Sequence, residues 1–160
     1  MQIFNIKTLK DEAEERAAII QAVATIESVV QLQESWTEKA LSDLLEQDSI
    51  DLMVVMSTET DEVVGYCLYQ VVFEQAEILR IGTRPDYQRQ GIASLLFAEL
   101  NTHLKEIQVE SLLLEVRADN APAIALYERQ AFVVIHKRKG YYQQPHQPAV
   151  DALIMQHVYR

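Results

Sequence analysis

Apolar residues along this chain recur with two different periods, and the changes between them mark out its elements. The stretch "QIFNIK" alternates apolar and polar positions and predicts a first strand. From residue 9 to 31 the spacing is helical, with Ile19, Ile20, Val23, Ile26 and Val30 on one face. Asp11, Glu12, Glu14 and Glu15 stand at the start of that segment, where carboxylates complement the positive end of a helix dipole. "SWTEKALSDLLEQ" predicts a second helix, with Ser or Thr as its cap and Glu38 just inside. "DLMVVMS" and "EVVGYCLYQVVF" are strands joined by the turn "TETDE". "AEILRIGT" follows after a short turn, so residues 51 to 83 read as an antiparallel meander. The pattern then changes again: Ile92, Leu95, Leu96, Leu100 and Leu104 share one helical face. "SLLLEVR" is a largely apolar strand, as expected when both faces of a sheet are covered. "NAPAIALYERQ" predicts a short helix with Asn120 or Asp119 as cap and Pro122 in its first turn. "FVVIHKRKGYY" and "VDALIMQHVY" are two last strands, and "QQPHQPA" between them is a surface hairpin loop. The order β-α-α-β-β-β-α-β-α-β-β, with four helices, predicts one mixed α/β domain over residues 1–160.

Composition narrows the function. The chain has 160 residues, 49% of them apolar, enough for one real core. No apolar run approaches a membrane span, and "MQIFNIKTLKDEAEER" lacks the pattern of a secretory signal, so a cytoplasmic protein with no membrane partner is expected. A net charge of −10 argues against non-specific nucleic-acid binding, which rests on cationic contacts to phosphate. The same charge suits a basic partner or an amine substrate, and also plain solubility. The one cysteine, Cys67, lies in "VVGYCLYQVV" and reads as a buried core residue. His103, His136, His146 and His157 have no metal-binding spacing, so no metal is expected.

Candidate chemistry concentrates at "RPDYQRQGIASLL", residues 84 to 96, where a Pro-Asp turn leads through Gln88, Arg89, Gln90 and Gly91 into a helix. The first N–H groups of a helix have no intrahelical acceptors and sit at the positive end of its dipole, so such a junction can hold a phosphate. Gly91 lets the backbone approach closely, and Arg89 adds a mobile charge. With its single glycine the stretch is neither a P-loop nor a Rossmann fingerprint, and a plain helix start fits it equally. Elsewhere, Glu115 places a carboxylate in the middle of an apolar strand, opposite in direction to Leu112, Leu114 and Val116. Such a group is costly unless paired or functional, and an ion pair, with Arg117 or across strands, is one account of it. Gly82 fits close backbone approach or a bulge.

Together, "ESWTEKAL", "RPDYQRQGIA", "LLLEVRADNAPAIALYE", "KGYY" and "DALIM" span most of residues 26 to 155. They resemble the GCN5-related N-acetyltransferases, and within them the RimI-type ribosomal-protein-alanine N-acetyltransferases. The resemblance implies a mixed central sheet with an antiparallel N-terminal meander and splayed fourth and fifth strands. It implies acetyl-CoA as co-substrate, with the acetyl group against the backbone at Ile81, Gly82 and Thr83. The pyrophosphate is then expected on the backbone of Arg89, Gln90, Gly91, Ile92, Ala93 and Ser94. Glu115 matches the family's general base, Tyr127 the acid that protonates the departing thiolate or a core-facing tyrosine, and Asn120 a cofactor contact or a plain helix cap. Trp36 reads as core or as a wall of the peptide groove, and Tyr141 and Tyr142 as groove lining. The implied acceptor is the N-terminal amine, an alanine, of a small-subunit ribosomal protein, the eighteenth in that branch. A polyamine or aminoglycoside acceptor is the alternative. A monomer is expected.

Two departures stand out. The second glycine of the family's loop is Ala93, which the wider pattern permits. The glycine that usually follows the tyrosine helix is Ala131, so that helix is expected to close in a different way.

Overall fold

The computed structural model describes residues 4–11, 13–31 and 35–160. Gln2 and Ile3 of the expected first strand, Glu12, and Glu34 of "ESWTEKAL" lie outside the described residues. Strands β1 (Phe4–Thr8), β2 (Ile50–Ser57), β3 (Val63–Val72), β4 (Gln75–Thr83), β5 (Ser111–Arg117), β6 (Val133–Tyr142) and β7 (Val150–Val158) form a sheet of order β1-β2-β3-β4-β5-β7-β6. The described helices are α1 (Arg16–Val30), α2 (Glu38–Leu44), α3 (Ile92–Glu106) and α4 (Ala121–Arg129). The alternation of elements is the one that periodicity predicts.

The chain divides into two compact units, one comprising residues up to Gln70 with Arg80–His103, the other Val71–Leu79 with Leu104–Arg160. In the first, β1 pairs with β2 and β2 with β3, all antiparallel, with a register shift at Val55/Met56. Neighbouring residues of a strand point to opposite faces. A side chain at Gly65 would meet Ile92 and Leu96, so α3 covers that face, whereas Tyr66 reaches Glu27 of α1 on the other. Val54, Val64, Leu68, Phe97 and Leu100, all fully buried, show how both faces are packed.

In the second unit β4 runs parallel to β5 only from Gln75↔Ser111 to Glu77↔Leu113. The ladder then stops, while β5 pairs with β7 along its whole length to Arg117↔Ala152. This is the expected parting of the fourth and fifth strands. Leu112, Leu114 and Val116 are buried, but Ser111, Leu113, Glu115 and Arg117 remain partly open. The expectation that both faces of β5 are covered is therefore corrected: burial alternates, and the face that carries Glu115 is partly open.

Local corrections have local causes. The first helix begins at Arg16 rather than residue 9, after short 3-10 turns at Leu9–Asp11 and Ala13–Glu15. No large apolar residue lies between Leu9 and Ile19 to seat an earlier α-helical turn. The second helix starts as expected: Thr37 caps it, its Oγ1 accepting from the Ala40 N–H at 3.1 Å.

The helix α4 closes differently from expectation. Ala131 takes φ +68°, the left-handed conformation usually left to glycine. The Phe132 N–H donates to the Tyr127 carbonyl at 3.0 Å and the Ala131 N–H to the Glu128 carbonyl at 3.0 Å. These two bonds make a Schellman motif, sealed by the Tyr127 and Phe132 rings 6.1 Å apart. Two hydrogen bonds and that ring contact hold the conformation that the Cβ disfavours.

Candidate active site

In the first unit, β4 ends at Thr83 and a 3-10 turn, Pro85–Tyr87, redirects the chain. Arg84 anchors that corner, with Nη1 2.9 Å from Glu62 Oε2 and Nη2 2.6 Å from Asp86 Oδ2. Gln88 and Gln90 are exposed, and their amides donate at 3.4 Å to the carbonyls of Thr83 and Asp86. Their sequence position suggests ligand contact, yet their side chains shape the loop. Arg89 takes φ +64° and Gly91 φ +81°, two left-handed residues that reverse the backbone before α3. The Gly91 carbonyl accepts the Leu95 N–H at 3.0 Å, so the N–H groups of Ile92, Ala93 and Ser94 fall in the helix's first turn. No acidic residue occupies that turn. A Cβ placed on Gly91 would meet nothing within 4 Å. Open space over left-handed backbone, exposed Arg89 and a helix start free of carboxylates suit a diphosphate.

Gly82 has a reason of its own. A Cβ there would lie 2.6 Å from the Tyr66 hydroxyl and 2.7 Å from its ring, so glycine is needed for Tyr66 to pack. Neither close ligand approach nor a bulge is required to account for it.

In the second unit, Glu115 is 26% exposed on the open face of β5. The Tyr142 hydroxyl donates to its Oε2 at 3.4 Å and Arg138 Nη1 lies 3.7 Å from its Oε1. Arg117 pairs with Asp119 at 3.0 Å and lies over the Tyr142 ring. Tyr142 thus joins Glu115, while Tyr141 is half exposed beneath Arg138. Glu77 on β4 belongs to this group and sequence reading missed it. Desolvation first, and then the charge of Glu115, push its carboxyl above the ordinary value, against the pull of Arg138. The available signal was its place between buried Ala76 and Ile78, on the face that Leu113 shares through the register.

Asn120 caps α4, its Oδ1 accepting from the Ala123 N–H at 3.2 Å. Tyr127 is 9% exposed and packs on Phe132. Trp36 is half-buried in the segment before α2. Cys67 is fully buried and its thiol is pushed up to about 12 by burial, which makes it a packing residue and not a nucleophile. Among the described residues no cluster of His, Cys, Asp and Glu could hold a metal ion. No helix among them is long and apolar enough to cross a membrane.

Residues 9–132 match the model of the acetyltransferase (GNAT) family, and the chain belongs to that family, whose members use acetyl-CoA. The [ribosomal protein bS18]-alanine N-acetyltransferase of Escherichia coli (strain K12) is 35% identical over 120 residues, 75% of this chain and 78% of that protein. The crystal structure of the Escherichia coli ribosomal-protein-S18-alanine N-acetyltransferase superposes with a TM-score of 0.81 at 28% identity, covering 98% of this chain and 94% of that one. Arabidopsis thaliana NAA60 in complex with acetyl-CoA shares the fold, with a TM-score of 0.76 at 17% identity over 99% of this chain and 98% of that one.

Proposed function

We propose that this protein transfers the acetyl group of acetyl-CoA to the N-terminal amine of a protein. The favoured acceptor is an alanine at the start of a basic small-subunit ribosomal protein. The observation that carries the reading is the 35% identity over 120 residues to an enzyme named for that alanine. The amine's own chemistry agrees with it. An α-amine has a pKa of about 7.7–8.0 and a lysine side chain about 10.4, so at neutral pH the α-amine is already partly neutral and one carboxylate suffices as base.

Glu115 takes the proton of the incoming ammonium, directly or through water. Its place on the open face of β5, with Tyr142 and Arg138 as neighbours, supports that role. The freed amine forms the new C–N bond at the thioester carbon as the C–S bond breaks, and the nitrogen sheds its surplus proton to water to become the amide. Tyr127 gives its proton to the departing sulfur. An ordinary phenol near 10 and a thiol near 8.5 are close enough for that transfer. The backbone of Arg89, Gln90, Gly91, Ile92, Ala93 and Ser94 holds the pyrophosphate, and that of Ile81, Gly82 and Thr83 the acetyl arm. Asn120 contacts the cofactor with the amide nitrogen left over from capping. Tyr141 and Tyr142 take part in binding the acceptor, and so does Trp36. The net charge of −10 draws in a basic acceptor and makes its apparent affinity fall with salt.

The test is a peptide panel differing at residue one, run beside spermine and a peptide whose only amine is a lysine side chain. The alanine-start peptide should react fastest, and Tyr127→Phe and Glu115→Gln should each lower its kcat by about 10²–10⁴. Equal rates on spermine or lysine would replace this reading with the small-amine one. Near wild-type turnover in either variant would remove that residue from the chemistry.

A further inference from the structure

Glu27 sits on α1 among Ile19, Ile20, Val23 and Ile26, and its side chain has no exposure at all. An ionised group in such a place is costly unless every oxygen is matched. Both of its oxygens are. The Tyr66 hydroxyl donates to Oε1 at 2.5 Å. The Trp36 backbone N–H donates to Oε2 at 3.1 Å, and Arg80 Nε lies 3.5 Å from the same oxygen. Arg80 in turn stacks over the Trp36 ring, 4.9 Å from its centre. One carboxylate therefore gathers a helix, two strands and the segment that leads into α2.

Fold stability does not by itself account for this arrangement, because well-packed apolar groups often serve a core as well as a buried ion pair. The location is more telling. Arg80 immediately precedes Ile81, Gly82 and Thr83, the stretch that the proposed function assigns to the acetyl arm. The Tyr66 hydroxyl lies where a Gly82 side chain would be. Trp36 is half-buried and the Arg80 side chain 20% exposed, so both retain an open surface. A lone Arg80 there would repel a cationic amine and the basic residues behind it. Glu27 cancels that charge at its source.

We propose that Glu27 is a positioning residue for the acceptor: its carboxylate fixes the Trp36–Arg80 pair as a rigid, charge-balanced wall beside the acetyl-bearing end of β4. The inference rests on the proposed N-terminal acetyl transfer. Glu27 itself touches no reacting atom.

Trp36 is the chain's single tryptophan, so its fluorescence reports the wall directly. In Glu27→Gln the emission should move to the red and iodide should quench it more readily, with far-UV dichroism unchanged. The acceptor KM should rise about tenfold while kcat and the acetyl-CoA KM stay within about twofold, the mark of lost acceptor binding and not of lost chemistry. The rise should be larger for an alanine-start peptide carrying lysines than for a neutral one, and should shrink with salt. A folded Glu27→Gln with unchanged emission and unchanged acceptor KM would overturn the proposal, as would equal rises in both KM values. Should Glu27→Gln fail to fold, Arg80→Lys keeps a cation for Glu27 and removes the planar stack. It must then shift the emission and raise the acceptor KM, and no change in either overturns the proposal. The kinetic arm uses whichever amine the wild type acetylates. A wild type inactive on the alanine peptide thus refutes the proposed acceptor, whereas the fluorescence arm judges the wall alone.

Discussion

Replacing Ala131 by glycine should stabilise this protein. Ala131 ends α4 at φ +68°, held there by the Phe132-to-Tyr127 and Ala131-to-Glu128 backbone hydrogen bonds. A left-handed L-residue costs roughly 1–2 kcal/mol. Glycine removes that cost but loses about 0.5–1 kcal/mol through its freer unfolded chain. The residue is exposed, so the lost methyl group forfeits little packing. The net expectation is a gain of about 0.75 kcal/mol, the difference between the mid-range values of the two preceding costs. For a chain of this size that is a rise in Tm of about 1.5–3 °C. Urea unfolding followed by circular dichroism is the cleaner assay: the midpoint should rise with no change in slope, since the surface exposed on unfolding is the same. Ala131→Val, a β-branched residue in the same conformation, should move the midpoint down. A midpoint for Ala131→Gly at or below the wild-type value would show that the helix end carries no strain, and the reasoning from φ would fail.

Other outcomes follow from the same geometry. Gly91→Ala puts a methyl group into space where the protein has no atom, on backbone at φ +81°, so the fold should survive while calorimetric affinity for acetyl-CoA falls about tenfold or more; unchanged affinity would take the phosphate site away from this loop. Cys67 should stay unmodified by a thiol reagent in the native protein and react only on denaturation, because burial raises its thiol to about 12; fast native labelling would contradict its packing. Glu77 is raised by desolvation and by Glu115, so the folded state holds more protons than the unfolded one above the ordinary glutamate range. Its contribution to stability therefore falls as pH rises through that window, and Glu77→Gln should flatten the decline measured by urea unfolding across it; an unaltered pH profile would show that the Glu77 carboxyl is not raised in the folded state.

Much of the architecture follows from the sequence alone, because strands and helices bury apolar residues at different periods and turn residues mark the ends. The Thr37 cap, the meander from residue 51 to 83, the Asn120 cap and the outward direction of Glu115 are all local consequences, set within a few residues of chain. The helix start at Gly91 is local too, since the Pro-Asp turn and the glycine that precede it mark it in the sequence. What tertiary structure alone decided is which distant residues meet. Tyr142 reaches Glu115 from 27 positions away, Glu77 shares its face only through the β4–β5 register, and Tyr66 reaches Glu27 from 39 positions away. No periodicity encodes such meetings, since they depend on strand register and on the order in which strands are added to the sheet. Gly82 shows the difference within one residue. The sequence offers a glycine at the end of a strand, but only packing reveals that the Tyr66 ring takes the place of its side chain. Ala131 shows it from the other direction: local preference argues against a left-handed alanine, and two hydrogen bonds with a ring contact outweigh that preference.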